Sequence, residues 1–299
     1  MGPIPVVVDQ DGGVDDALAL MLLAREPLVK LHGVGAVHGN VDAYAAARNG
    51  IRALEFAGDH ATPVAVGAAQ PLAQPRHLSH PGDPLAAIAG KPERKPAGDG
   101  AVEQMLRLSH EHDGELCVLA LGPLTNIALA VEADPGFARR VRRLVVMGGA
   151  YRVKGNVREY AEANIWHDPE AADVVLSAAF ADRILVPLDV TRNATVTRMW
   201  LRWLAKDADR LRGRIAGRLL EFSVATGLPS RPLHDPLAAV ILLDPSLATY
   251  HHRSMAVALR ERRGTISSAT DTGRPVTAVA VTADTSTLLQ SLFRTLIRS

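Results

Sequence analysis

Val6–Leu20 reads VVVDQDGGVDDALAL, and the change of pattern inside it decides the fold class. Pro5–Val8 is an apolar run ending at Asp9, and Ala17–Ala24 is a solid apolar helix halted before Pro27. A fully apolar strand, rather than an alternating one, belongs in a parallel sheet covered on both faces. The same signals recur along the chain. Strands are expected at Leu31–Val37, Pro63–Val66, Leu116–Leu121, Leu144–Met147 and Ile184–Leu188, with helices at Ala43–Phe56, Thr125–Val131 and Pro169–Ala179. After a polar, arginine-studded helical stretch at Arg198–Val224 come a short helix at Pro236–Leu243, late strands at Met255–Leu259 and Val276–Val281, and a closing helix from Ser286. Alternating strand and helix predict an α/β fold. We expect one domain over residues 1–299, an open, mostly parallel sheet with helices on both faces and right-handed crossovers. Residues 74–100, crowded with Pro, Gly and charge, are expected to form a mobile, mostly irregular lid loop.

Composition narrows the function classes. Lys and Arg number 33 against 32 Asp and Glu, a net charge of +1, so no global field draws in nucleic acid or an anionic membrane. The 47% hydrophobic and 22% charged residues of this 299-residue chain are a globular balance. Its single cysteine, Cys117, rules out an intrachain disulfide and lies in the apolar run ELCVLAL, as a buried strand residue would. No apolar run approaches the roughly 18 residues that span a bilayer. The start MGPIPVVVDQD lacks a basic leader segment and becomes acidic early, so a cytoplasmic protein without partners among nucleic acids or membranes is expected.

Four aspartates, Asp9, Asp11, Asp15 and Asp16, fall within eight residues. Asp9 and Asp11 would share one side of an extended strand, Gly12-Gly13 allow a sharp turn, and Asp15 and Asp16 start the next helix. Capping the helix would account for one aspartate. Two carboxylates about 4 Å apart repel by roughly 4 kcal/mol at an effective dielectric near 20, so the cluster calls for protons or a cation. An all-oxygen donor set favours Ca2+ or Mg2+ over zinc. Further polar groups follow other predicted strands: His38-Gly39-Asn40, Leu121-Gly122-Pro123 with a bare carbonyl, and a loop after Met147 carrying Asn156, Glu162 and Asn164. Ligands of open α/β sheets bind at such carboxyl ends. His234-Asp235 stands before a later helix, where Asp235 could cap it or add a fifth carboxylate.

DQDGGVDDALAL resembles the DxDPGxDDA motif of the calcium-dependent nucleoside hydrolases, the inosine-uridine-preferring family. The resemblance continues in family order through VHGN, LALGPLTNIALA, VVMGGA, GNVREYAEANIWHDPEAA, VPLDVT and LHDPLA. It implies a Rossmann-like nucleoside hydrolase fold and hydrolysis of the N-glycosidic bond of ribonucleosides to free base and ribose. It also implies one Ca2+ per subunit, held by Asp11, Asp16, Asp235 and the Leu121 carbonyl, with Asp9 in support. Asp11 would double as general base toward the attacking water. Asp15, Asn40, Asn156, Glu162 and Asn164 would bind the sugar, His234 would protonate the leaving base, and His80 would approach the base from the lid. A homo-oligomer, dimer or tetramer, is implied as well.

The chain departs from the family pattern in three places. Gln10-Asp11-Gly12 replaces Thr-Asp-Pro, which is expected to loosen the turn. The lid motif HGxDGLG is replaced by His80-Pro81-Gly82-Asp83-Pro84-Leu85, and Phe222 is the nearest aromatic before His234. Two other readings compete. A calcium- and nucleoside-binding protein without turnover would keep the metal site. A DxD phosphohydrolase would need a phosphate-binding lysine, and the five lysines sit in no such motif.

Overall fold

The computed structural model describes residues 2–80, 82–207, 214–218, 221, 225, 230–270 and 273–297. Its strands are β1 (Ile4–Gln10), β2 (Val29–Ala36), β3 (Val64–Val66), β4 (Cys117–Ala120), β5 (Arg143–Met147), β6 (Arg183–Val186), β7 (Thr195–Thr197), β8 (Ser230–Pro232), β9 (Ala248–Val257), β10 (Ile266–Ser268) and β11 (Val276–Ala283). Nine of them form one sheet in the order β10-β9-β11-β6-β5-β4-β1-β2-β3. From β3 to β11 neighbouring strands run parallel; β9 pairs antiparallel with β11 and β10. The expected α/β class, with a mostly parallel sheet, is what the chain adopts.

The continuous apolar strands divide between two cores by the period of two that a pleated strand imposes. Val6 and Val8, Cys117 and Leu119, Val145 and Met147 pack on one face with the helices Val14–Ala24, Ala43–Ala57 and His234–Leu243. Val7, Val118, Ala120, Leu144 and Val146 pack on the other with Ala101–Glu111, Thr125–Ala133 and Pro169–Ser177. Asp9 and Gln10 continue the alternation. The Asp9 side chain meets Asn126 on the second face, and that of Gln10 meets Ala46 on the first. Cys117 is buried in β4, as its apolar run requires.

Several boundaries differ from expectation. The first helix begins at Val14, because Asp16 at its third position reaches back to the Gly13 N–H. The described residues of segment 74–100 are mostly irregular, with one helix at Pro84–Ala89. Asp83 caps it and Pro84 opens it, so a dipeptide that reads as loop punctuation is a helix start. Asn49 and Arg52 hold the Asp83 carboxylate. β6 stops at Val186, and Leu188–Thr191 is a helical turn. β9 begins at Ala248, seven residues before its expected start, since its first half is polar and largely uncovered. Helices at Ala101–Glu111 and Ala163–His167 are additional to those expected. Within the stretch expected to be helical from Arg198, Arg198–Asp207 is a helix; Phe222 and Pro81 lie outside the described residues.

Candidate active site

The order β3-β2-β1-β4-β5-β6 reverses direction between β1 and β4, and such a switch point opens a crevice beyond the carboxyl ends of the strands. Asp9 lies at the end of β1, Asp11 just past it, and Leu121 follows β4. The small antiparallel ribbon of β7 and β8 brings a distant segment to the same place. There Leu233 donates its N–H to the Ala194 carbonyl at 2.7 Å, and His234 follows.

A cavity of about 610 Å3 occupies the crevice. Of the residues picked from the sequence, Asp15, Asn40, His80, Leu121, Asn156, Glu162, Asn164, His234 and Asp235 line it. Asp9, Asp11 and Asp16 do not; they are buried, each 2% exposed or less. The aspartates therefore divide into a lining pair, Asp15 and Asp235, and a set off the cavity wall that includes the residue expected to activate water.

Backbone and amide donors fix these side chains. Asn40 grips both oxygens of Asp11, its backbone N–H on Oδ2 at 2.8 Å and its Nδ2 on Oδ1 at 2.7 Å. Asp16 accepts the backbone N–H groups of Asp11 and Gly13. Its capping role is thus real and does not exhaust it. Oδ2 of Asp15 accepts the N–H groups of His234 and Asp235, at 2.6 and 3.2 Å, joining segments 219 residues apart at the site. Asp9 accepts from Asn126 Nδ2 at 2.8 Å. The expected common side for Asp9 and Asp11 is not found: the strand ends at Gln10, and the two carboxylates have separate partners.

Gly12 does not loosen the turn. Its φ is +83°, a value closed to the proline of the family motif, and its N–H donates to Gln10 Oε1 at 2.7 Å. Gln10 Nε2 in turn donates to the Ala46 carbonyl. The two departures form a matched pair that ties the turn to the neighbouring helix. At Gly39 a Cβ would stand 2.1 Å from Asp11 Oδ2, so only glycine lets that backbone pass so close to the carboxylate.

Burial dominates the electrostatics. It pushes the Asp9 carboxyl up to about 7 and that of Asp16 up to about 6. Asp11 and Asp235 are raised well above the ordinary carboxylate range, by burial first and then by the charge of Asp16. The negative charge of Asp16 beside both is a repulsion that a proton or a cation would relieve. Asp9 Oδ2 and Asp15 Oδ1 are buried without a hydrogen-bond partner. Orphaned oxygens, mutual carboxylate repulsion and an all-oxygen donor set fit a hard divalent cation. Among the described residues no three acidic, His or Cys side chains form a closed ligand cage, so the cluster is drawn together without being a finished coordination shell.

The other expected residues are placed as follows. Asn164 Nδ2 donates to the Leu121 carbonyl at 2.7 Å and to the Met147 carbonyl at 3.1 Å. The Leu121 carbonyl, with two lone pairs, keeps one acceptor site beyond that bond. Glu162 is buried, caps Ala163–His167 through the Asn164 and Ile165 N–H groups, and also accepts from Gly149. Asn156 is exposed and accepts the Ala163 N–H. His80 is exposed, with its backbone N–H on the Asn40 carbonyl.

Sequence reasoning misses several lining residues: His77, Ser79, Met147, Leu188 and Arg192. His77 stacks on His167 with centroids 6.0 Å apart and meets the Trp166 edge at 5.2 Å. Gln74 donates to the Trp166 and His167 carbonyls, and Ser79 donates its N–H to the Gly39 carbonyl. The early part of the expected lid is therefore bonded to the cavity wall.

A model of the family described as inosine-uridine preferring nucleoside hydrolase matches residues 6–290. The probable uridine nucleosidase 1 of Oryza sativa subsp. japonica is 34% identical over 258 residues, which cover 82% of this chain and 78% of that protein. Among solved structures, the plant nucleoside hydrolase PpNRh1 superposes with a TM-score of 0.90 at 30% identity, covering 99% of this chain and 100% of the other. A purine-preferring ribonucleoside hydrolase from Gardnerella vaginalis superposes at 0.87 with 26% identity, over 97% of each chain.

Proposed function

The chain belongs to the inosine-uridine preferring nucleoside hydrolase family, metal-dependent enzymes that hydrolyse ribonucleosides to base and ribose, and on that premise we propose how its own residues divide the work. Asp11, Asp16, Asp235 and the Leu121 carbonyl would hold one Ca2+, with the Asp9 carboxylate in support. When bound, calcium supplies a fixed positive charge that orients the attacking water and the ribose diol. Asp11, aimed by the two Asn40 donors, takes the proton of that water. Asp15, Asn40, Asn156, Glu162 and Asn164 hold the sugar, carboxylates accepting from its hydroxyls while the amides both donate and accept. As the C1′–N bond lengthens, the sugar becomes oxocarbenium-like, and the surrounding carboxylates stabilise its positive charge. His234 protonates the departing base, and His80 approaches the base from the expected lid. What supports this reading is that Asp235 lines the cavity with His234, Asn40 and Asn164, while Asp11 and Asp16 are buried close enough for the charge of Asp16 to raise the Asp235 carboxyl.

Uridine is the substrate this cavity suits best. Among the described residues its lining holds imidazoles and the Ser79 hydroxyl but no Trp, Tyr or Phe. Such a wall offers a base hydrogen-bonding groups without a large aromatic face. The uridine nucleosidase likeness points the same way. No lysine lines the cavity among the described residues, which leaves the phosphohydrolase reading without its phosphate ligand. Movement of residues 74–100 over the bound base, a homo-oligomeric state and a cytoplasmic location belong to the same proposal. No described helix is long and apolar enough to cross a membrane.

Free ribose released from uridine, cytidine, inosine and adenosine tests the assignment. Uridine is expected to show kcat/KM at least about 10-fold above inosine and adenosine. A purine nucleoside cleaved fastest would overturn the base assignment. Nucleoside binding with no ribose from any substrate would establish the non-catalytic binder instead.

A further inference from the structure

The stretch VPLDVT, part of the family pattern, has so far been given no task, and the structure places it at a junction. Leu188–Thr191 is one helical turn directly after β6. Asp189 accepts the backbone N–H groups of Tyr151 and Arg152, at 2.9 and 2.8 Å. Arg192 donates to the Gly155 carbonyl at 2.9 Å. The turn is thereby fastened to the loop that carries Asn156.

Thr191 faces the opposite wall. It is completely buried, and its Oγ1 lies 2.7 Å from His234 Nδ1. The ring belongs to a residue 43 positions away whose N–H is held by Asp15. Backbone and ring are thus anchored separately, the first by Asp15 and the second by Thr191. An imidazole has two nitrogens on different edges, and engaging one fixes which edge the other presents.

We propose that Thr191 is a positioning residue for proton delivery: its hydroxyl holds His234 Nδ1, so that Nε2 is the nitrogen presented to the leaving base. The inference rests on the reading of His234 as the leaving-group acid. In the step, the C1′–N bond breaks with its electron pair passing to the base. The proton on Nε2 moves to the base, and the ring keeps its second proton on Nδ1, where Thr191 Oγ1 accepts it. Thr191 is buried and does not line the cavity. It restricts rotation of the ring, so its loss leaves the acid present but misdirected.

Thr191→Val keeps the shape and removes the hydroxyl; Thr191→Ser keeps the hydroxyl and removes only the methyl. Each is compared with the parent, with His234→Ala and with the double variant Thr191→Val/His234→Ala, on uridine and on p-nitrophenyl riboside, whose leaving group needs no proton. Thr191→Val is expected to lower kcat on uridine roughly 10- to 100-fold with KM little changed, and to lower kcat on the nitrophenyl substrate less than about 3-fold. Thr191→Ser should return uridine turnover to within about 3-fold of the parent, and the double variant should be no slower than His234→Ala. A merely structural threonine would give equal losses on both substrates, or losses that add to those of His234→Ala; either result overturns the proposal. If His234→Ala itself slows both substrates equally, the acid assignment fails and this inference falls with it. If His234→Ala is selective and Thr191→Val is not, the acid assignment stands and only the inference falls.

Discussion

Asp11→Ala is expected to cut ribose release from uridine by at least about 10^4-fold while leaving a folded protein. A general base alone contributes roughly 10^2- to 10^4-fold, and this carboxylate is also assigned to the metal, so one substitution removes two contributions. The fold does not depend on it. Asp11 lies beyond the β1 ladder, and its carboxyl is held against both burial and the charge of Asp16. Removing it relieves that repulsion and leaves the Asn40 donors beside a cavity that water reaches. Melting of the chelated variant is therefore expected at or above the parent temperature, as calorimetry on both proteins would show. Turnover within 10-fold of the parent would remove Asp11 from both roles. A variant that fails to fold would mean that the aspartate serves the turn rather than the chemistry.

Chelated protein is expected to lose stability as pH rises from about 4 to about 7, the reverse of ordinary acid denaturation. In the folded chain the Asp9 carboxyl is pushed up to about 7 and that of Asp16 up to about 6, with Asp11 and Asp235 raised as well. Unfolded, all four titrate near the ordinary carboxylate value of about 3.9. A group raised in the folded state contributes its full stability below the unfolded value and loses it as pH climbs through the folded one. Calcium replaces the missing protons, and at a thousandfold excess over Kd it restores about 4 kcal/mol. Scanning calorimetry at pH 5 and pH 7.5 checks this. The chelated protein should melt several degrees lower at pH 7.5, and calcium should close most of the gap. A chelated protein that is more stable at pH 7.5 than at pH 5, or no calcium shift at pH 7.5, would contradict the assignment.

Much of the fold is legible in its strands, because burial on two faces demands continuous apolar runs such as Val6–Val8 in β1 and Leu144–Met147 in β5. Within the second run, Leu144 and Val146 pack into one core while Val145 and Met147 pack into the other. Where a strand lacks that double cover the signal fades, which is why the polar first half of β9 cannot be read from its residues. Asp-Pro at 83–84 serves equally well as loop punctuation and as helix start, and only the Arg52 and Asn49 partners distinguish the two.

The acidic residues of the site are legible because helix capping would account for only one of the clustered aspartates, and their order along the chain matches a family pattern. Their depth is not legible. Whether Asp11 lines the cavity or lies buried beside it depends on a turn set by Gln10 and Gly12, through contacts with a helix 36 residues away. Thr191 and Arg192 are hidden for a different reason. Their partners, His234 and the Gly155 carbonyl, are distant in sequence, and a hydroxyl or a guanidinium gives no hint of such a partner by type or spacing.

Ribose release from uridine, measured in chelator and again after calcium is returned, tests the central assignment most directly. Turnover is expected to fall at least about 10^3-fold in chelator and to recover fully once one calcium per chain is bound. Undiminished release in chelator would contradict a calcium site built from Asp11, Asp16, Asp235 and the Leu121 carbonyl.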